Sequence, residues 1–168
     1  MSDDCIRHVV VCVDDSSGCE QAVEWACEHC VMPMVTSHTD EIIRLHLIHV
    51  IPRVDVSSTM ASMMVSGSND DEESLAAAQG VLERRATSYI GEYFPETDRV
   101  ETVLHILRYE VDSESIGEIL CRKSRELQAA VVVMARHSGK SALHRFFIGS
   151  VTDYCLKHCT RPLAIYNS

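Results

Sequence analysis

One stretch of this chain carries residue types suited to holding an anion. It runs Arg136-His137-Ser138-Gly139-Lys140-Ser141-Ala142-Leu143-His144-Arg145 and continues through Phe146-Phe147-Ile148 to Gly149-Ser150-Val151. Glycine lets a backbone take positive φ and approach a ligand closely. Gly149-Ser150 stands where a helix is expected to begin, and a helix start offers unpaired N–H groups and a positive dipole end to phosphate. Arg136, Lys140 and Arg145 would concentrate positive charge there, in a chain with 25 acidic against 15 basic residues and a formal net charge of −10. A second chemical feature is Asp14-Asp15, directly after an apolar run. Asp14 would lie at a strand's carboxyl end, where it could accept hydrogen bonds from a ribose or a base, or hold a metal. Asp15 reads as turn and N-cap chemistry.

Other arrangements fall short. Gly139-Lys140-Ser141 imitates the end of a P-loop, but Met134 stands where that motif needs its first glycine. No G-x-S-x-G turn is present, so nothing supports a Ser-His-Asp hydrolase. Cys27-Glu28-His29-Cys30 and Cys155-Leu156-Lys157-His158-Cys159 look like zinc half-sites. Structural zinc wants four convergent ligands, and the first and last helices are expected on opposite faces of the sheet, so no metal site is assigned. The eight cysteines are read as reduced packing residues. Cys12 falls inside a strand, and Cys19, Cys27, Cys30 and Cys155 fall on apolar helix faces.

The elements that must position these residues follow from periodicity. Residues 8–13 (His8-Val9-Val10-Val11-Cys12-Val13) form a β-branched run of the kind found in strands buried on both faces of a parallel sheet. Cys19, Ala22, Val23, Ala26, Cys27 and Cys30 then recur at helical spacing, and Pro33 is expected to end that helix. Residues 31–41 read as a polar connector, 42–51 as a second strand closed by Pro52. A mobile loop is expected over 55–74, where methionines lie among serines and acids; its length exceeds ordinary connections. A helix from Leu75 to Tyr93 leads to strand three at 100–107. A helix capped within Asp112–Ser115, a strand at 130–135, a helix opened by Gly149-Ser150 and a strand at Leu163–Tyr166 complete the chain. The alternation implies a five-stranded parallel α/β sheet with helices on both faces and one domain over 1–168. Ligands of such sheets bind at strand carboxyl ends where the order reverses. If the first and fourth strands are neighbours at that point, Asp14 and the 136–150 loop meet there.

Bulk composition agrees. The 168 residues, 46% hydrophobic and 24% charged, suit one globular domain. The acidic balance argues against nucleic acid or anionic membrane as partners. The polar, acidic N-terminus is not a secretory signal, and no apolar run approaches the ~18–20 residues of a membrane span. A cytoplasmic location is expected.

The sequence resembles the universal stress protein family. The resemblance rests on Val9-Val10-Val11-Cys12-Val13-Asp14 with Ser17, on Leu47-Ile48-His49-Val50, and above all on Val133-Met134-Ala135 through Gly149-Ser150-Val151-Thr152-Asp153-Tyr154-Cys155. The family's ATP-binding branch carries Gly, two residues, Gly, nine residues, Gly, then Ser or Thr. Gly139, Gly149 and Ser150 match that pattern, and Arg136 replaces its first glycine. The resemblance implies a Rossmann-like, adenine nucleotide alpha hydrolase-like fold with its strands in the order 3-2-1-4-5. It implies that Asp14 and the backbone of Val13 bind the adenosine end and that Val50 lines the adenine slot. Gly139, Gly149 and Ser150 would hold phosphates, with Arg136, Lys140 and Val151 beside them. The ligand would be ATP, with or without Mg, and the last strand, Leu163 to Tyr166, would pair across a two-fold axis to make a homodimer that senses stress or energy state. An arginine at 136 either clamps phosphate or plugs the cleft; the second case gives an interaction protein without nucleotide. Catalysis, at most slow ATP hydrolysis, has no evident general base.

Overall fold

A computed structural model describes residues 6–14, 17–37, 40–53, 76, 80, 84, 92–94, 97–110, 115–136 and 149–167. The loop expected at 55–74, Asp15, Gly139, Lys140, and most of the 136–148 segment lie outside the described residues, as does most of the helix expected from Leu75 to Tyr93, of which residues 76, 80, 84, 92 and 93 are helical.

Five strands form one parallel sheet: β1 (Ile6–Cys12), β2 (Ile42–Arg53), β3 (Val100–Glu110), β4 (Val131–Ala135) and β5 (Leu163–Tyr166). Their order is β3-β2-β1-β4-β5, as the family resemblance implies. The register pairs Val11 with Leu47 on one side and with Val133 on the other. Side chains alternate across the sheet. Val9, Val11 and Val13 therefore join a core with α1 (Ser17–Ala26), in which Ala22, Val23 and Ala26 are buried. Val10, Val132 and Met134 join a second core beneath α3 (Ile116–Glu126) and α4 (Ser150–His158). Helices thus cover both faces.

Pro33 does not end the first helix. After Ala26 the chain makes a π turn over Cys27–Val31, marked by the Met32 N–H donating to the Cys27 carbonyl five residues back, and runs on as α2 (Met32–Ser37). The wider turn starts a new helical segment, and Pro33 falls in its first turn, where a missing N–H costs nothing. Val31 and Val35 are buried, so residues 31–37 are helical and packed on the core through these two side chains, not a polar connector. Pro52 likewise sits inside β2. The Ile48 carbonyl accepts from the Val13 N–H at 2.8 Å, so Ile48 and, two and four residues on, Val50 and Pro52 turn their main-chain groups toward the β1 side. β1 has ended by then, and a proline there removes no ladder bond.

Two local devices fix α3. Ser115 Oγ accepts from the Glu118 N–H at 3.2 Å, closing the N-terminus. At the other end Gln128 takes φ 52°, with Gln128 N–H donating to Arg125 O and Ala129 N–H to Ser124 O, a Schellman closure. Gly117 faces Tyr154 so closely that a Cβ would lie 2.7 Å from Cδ1 of that ring. The pair sets how near α3 and α4 approach.

A polar chain crosses the α3 side of the sheet. His8 Nδ1 lies 2.8 Å from His46 Nε2, and His46 Nδ1 lies 2.8 Å from His105 Nε2. Neutral imidazoles satisfy both contacts head to tail, with His46 donating one of the two hydrogen bonds and accepting the other. His46 is 2% exposed. Burial, then the neighbouring His105 and His8, and then Arg44 and Lys123 depress its pKa to about 3. His8 and His105 are also lowered, each chiefly by burial, with Arg44 acting on His8 and Lys123 on His105.

Candidate functional site

A cavity of about 310 Å³ opens at the carboxyl ends of the central strands. It lies where the chain leaves β1 between β2 and β4, the point at which the strand order reverses. Six residues singled out from the sequence line it together: Val13, Asp14, Val50, Gly149, Ser150 and Val151. Arg136 is not among the described lining residues. Its backbone N–H donates to the Tyr166 carbonyl at 2.8 Å, prolonging the β4–β5 ladder by one bond. Gly139 and Lys140 lie outside the described residues.

Each lining residue is there for a local reason. The β-branched run ends at Val13, and Asp14 begins the turn into α1, its N–H donating to Cys19 Sγ at 3.4 Å. Val13 has its main chain largely engaged. Its N–H is bonded to Ile48, and its carbonyl accepts from His49 Nδ1–H at 2.8 Å. With its side chain packed in the α1-side core, Val13 lines the cavity without offering it a main-chain donor. Val50 differs. Its main-chain groups point to the β1 side beyond the end of β1, so a donor and an acceptor stand side by side on the cavity wall.

Gly149 is the N-cap of α4, with φ −54° and ψ 148° and no side-chain cap. Its carbonyl accepts from Asp153 N–H at 2.9 Å. The amides of Ser150, Val151 and Thr152 therefore precede the first intrahelical bond, and they belong to lining residues. The one carboxylate of that turn, Asp153, is paired with Lys157 at 2.7 Å.

Residues not singled out as site residues complete the walls. Cys12, Ile48, Met134 and Ala135 come from the strands, Ile116 and Leu120 from α3, and Thr152 from α4. They carry only a hydrophobic signal in the sequence, which marks core and pocket lining alike. Burial, then Cys155, Cys159, Cys19 and Cys121, push the Cys12 thiol up, which keeps it protonated and a poor nucleophile. Asp14 is the one carboxylate among the described lining residues. The arrangement is thus an apolar slot with one acid, one main-chain donor–acceptor pair and one helix start: equipment for binding a flat, polar-edged group that bears an anion. The suspected zinc half-sites do not meet. Cys27 and Cys30 pack on the α1 side of the sheet, Cys155 and Cys159 on the other. Among the described residues no group of three or more His, Cys, Asp or Glu is placed to hold a metal ion.

A five-stranded parallel sheet in this order, helices on both faces and a cavity at the switch point, defines an α/β fold of the adenine nucleotide alpha hydrolase-like type. A model of the universal stress protein family matches residues 6–167, and the chain belongs to that family. Solved structures share the fold at low identity. A universal stress protein from Archaeoglobus fulgidus is 16% identical, with a TM-score of 0.63 over 95% of this chain and 92% of its own. The universal stress protein from the same organism in complex with dAMP is 18% identical, with a TM-score of 0.60 over 95% and 96%. A universal stress protein in complex with cAMP is 12% identical, with a TM-score of 0.53 over 96% of each chain. No sequence among curated proteins matches significantly. Among the described residues no helix is long and apolar enough to cross a membrane.

Proposed function

We propose that this chain binds ATP or a related adenine nucleotide in the cavity at the switch point, as a homodimer that reports stress or energy state. The observation that carries the reading is the meeting in one cavity of Asp14, Val50 and the first turn of α4, residues 150–152. At about 310 Å³ the cavity lies at the small end of ligand pockets, which run roughly 300–1,000 Å³. That size suits the base and ribose, with phosphates reaching past Gly149 toward solvent. The Val50 donor and acceptor would read the polar edge of adenine, Asp14 would accept from ribose hydroxyls, and the start of α4 would face the phosphates. Relatives of the same fold that are described as complexes with dAMP and cAMP support an adenine nucleotide. The dimer would form along β5, an edge of the sheet, whose open main-chain groups are a template for pairing. A cytoplasmic setting and a single domain fit this role.

The test is direct. The purified chain is denatured and assayed for released adenine nucleotide, then titrated with ATP by calorimetry. Saturable binding is expected, and Asp14→Ala should weaken it roughly tenfold or more, the loss of a hydrogen bond to a charged acceptor. Absence of released nucleotide together with no binding at millimolar ATP would overturn the reading and leave an interaction protein of the same fold.

A further inference from the structure

Three rings from three strands form one hydrogen-bonded row beside the cavity floor. His8 of β1, His46 of β2 and His105 of β3 lie diagonally, since the register sets Val10 beside His46 and Ile48 beside His105. Their nitrogens meet twice at 2.8 Å, and the ring centroids stand 5.1 and 5.0 Å apart. His46 and Ile48, two residues apart, share a face of β2, and Ile48 lines the cavity. Helix α3 covers both. It runs from Ile116 at the cavity back toward the amino ends of the strands, and Leu120 packs in one core with Val10 and Ile48. Four helical residues advance about 6 Å and two strand residues about 6.6 Å. One turn beyond Leu120, the buried Ser124 therefore lies over the layer of His46 and His8.

We propose that this row is an acid-operated latch on α3: protonation beyond what its hydrogen bonds can hold breaks the row, lifts the second half of the helix and loosens the cavity. The limit follows from counting. Three neutral imidazoles carry three N–H groups on six nitrogens. The two contacts occupy four nitrogens and use one proton each. The outer nitrogens, His8 Nε2 and His105 Nδ1, hold the third proton and one lone pair. One added proton fills that lone pair and breaks nothing, whichever way the row is polarised. A second has to enter a contact, setting two N–H groups against each other at 2.8 Å. The contact then opens.

The surroundings oppose charge on the row. Arg44, on the same face of β2, and Lys123 of α3 are the cations that act on His46. Each has its own acid: Arg44 lies 2.6 Å from Glu101 of β3, and Lys123 lies 3.6 Å from Glu126. On this side β1 and β4 contribute the apolar Val10, Val132 and Met134, and the thiols of Cys12, Cys121 and Cys155, which burial keeps protonated. Among the described residues no carboxylate bonds to the row, so exposure to water is what relieves its charge. The strands carry the rings, and α3 is the cover that can move. Because Ile116 and Leu120 wall the cavity, its release weakens ligand binding; this last link rests on the nucleotide reading above.

Once solvated, all three rings titrate near pH 6.5, whereas the closed row holds no more than one extra proton. Opening thus takes up two protons or more in acid, and its equilibrium constant rises roughly 600-fold or more from pH 7 to 5. The experiment follows amide exchange of the full chain by NMR over that range, with rates corrected for the intrinsic effect of pH. Protection at residues 120–126 should fall by that factor, and at pH 5 these amides should exchange at least about tenfold faster than those of α1 and β1. His46→Gln keeps a donor and an acceptor at the centre but takes no proton, so its fall should be about 25-fold smaller. Adenosine, uncharged throughout, should bind at least about tenfold more weakly at pH 5 than at pH 7. A fall of tenfold or less at 120–126 in the native chain would overturn the latch. So would loss of protection in α1, β1 and α3 together, which is global unfolding. Equal adenosine affinity at both pH values, with α3 released, would overturn its link to the cavity. If adenosine binds at neither pH, the nucleotide reading fails, and the exchange data still decide the latch.

Discussion

Lowering the pH from 7 to 5 should destabilise this protein through the middle of its sheet. The group responsible is His46, 2% exposed and held between His8 and His105 at 2.8 Å on either side. Its pKa in the folded chain is about 3, against an ordinary value of 6.5. A base whose folded pKa is depressed contributes stability that is whole above the unfolded pKa and is lost as pH falls from there toward the folded value. The window is therefore roughly pH 6.5 down to 3. Linkage makes each unit within it worth about 1.4 kcal/mol for one proton taken up only on unfolding. At pH 5 that is about 2 kcal/mol, and the figure barely depends on the folded pKa so long as it lies well under 5. His8 and His105 are lowered too and act in the same direction. Urea unfolding at pH 7, 6 and 5 measures the loss, with His46→Leu as the comparison. That variant should be less stable at pH 7, through its two lost hydrogen bonds, yet lose about 2 kcal/mol less than the native chain between pH 7 and 5. Equal losses in both proteins, or a His46 titration near 6.5 by NMR, would refute the reasoning.

Other predictions test packing, backbone strain and assembly. Gly117→Ala should cost about 1–3 kcal/mol, because its methyl would meet Tyr154 at 2.7–2.9 Å and push α3 from α4; unchanged urea unfolding would contradict it. Gln128→Gly should stabilise the chain by about 0.5–1 kcal/mol, since the residue holds φ 52° at the close of α3; a lower melting temperature would count against that. In β5, Pro162 and Tyr166 carbonyls bond to β4, so Ile165 turns its N–H to the open edge. Ile165→Pro should convert the proposed dimer to monomer in sedimentation equilibrium with its circular dichroism retained. A persisting dimer would place the interface elsewhere.

How much of this was legible in the sequence depended on the range of the interactions. β1 and β4 announced themselves, because continuous runs such as Val9-Val10-Val11 have no other economical burial than a central parallel strand. Strand alternation with helices then gave a parallel sheet covered on both faces, while the order 3-2-1-4-5 came from the family resemblance, because alternation alone also allows other doubly wound orders. Asp14 and Gly149-Ser150 stood out because strand ends and helix starts have local turn chemistry. Ile116 and Leu120 did not, since a wall residue and a core residue obey the same helical period. Pro33 misled because a π turn upstream, invisible to a 3.6-residue pattern, placed it in a fresh first turn. The histidine chain was illegible for another reason: His8, His46 and His105 meet only once two strand registers are set.

The most direct test of the central claim is an amide-resolved NMR titration of the full chain with ATP. The account predicts shifts concentrated at residues 12–14, 48–50 and 149–152, saturating together with one affinity. Shifts that gather on another surface, or none at millimolar ATP, would contradict it.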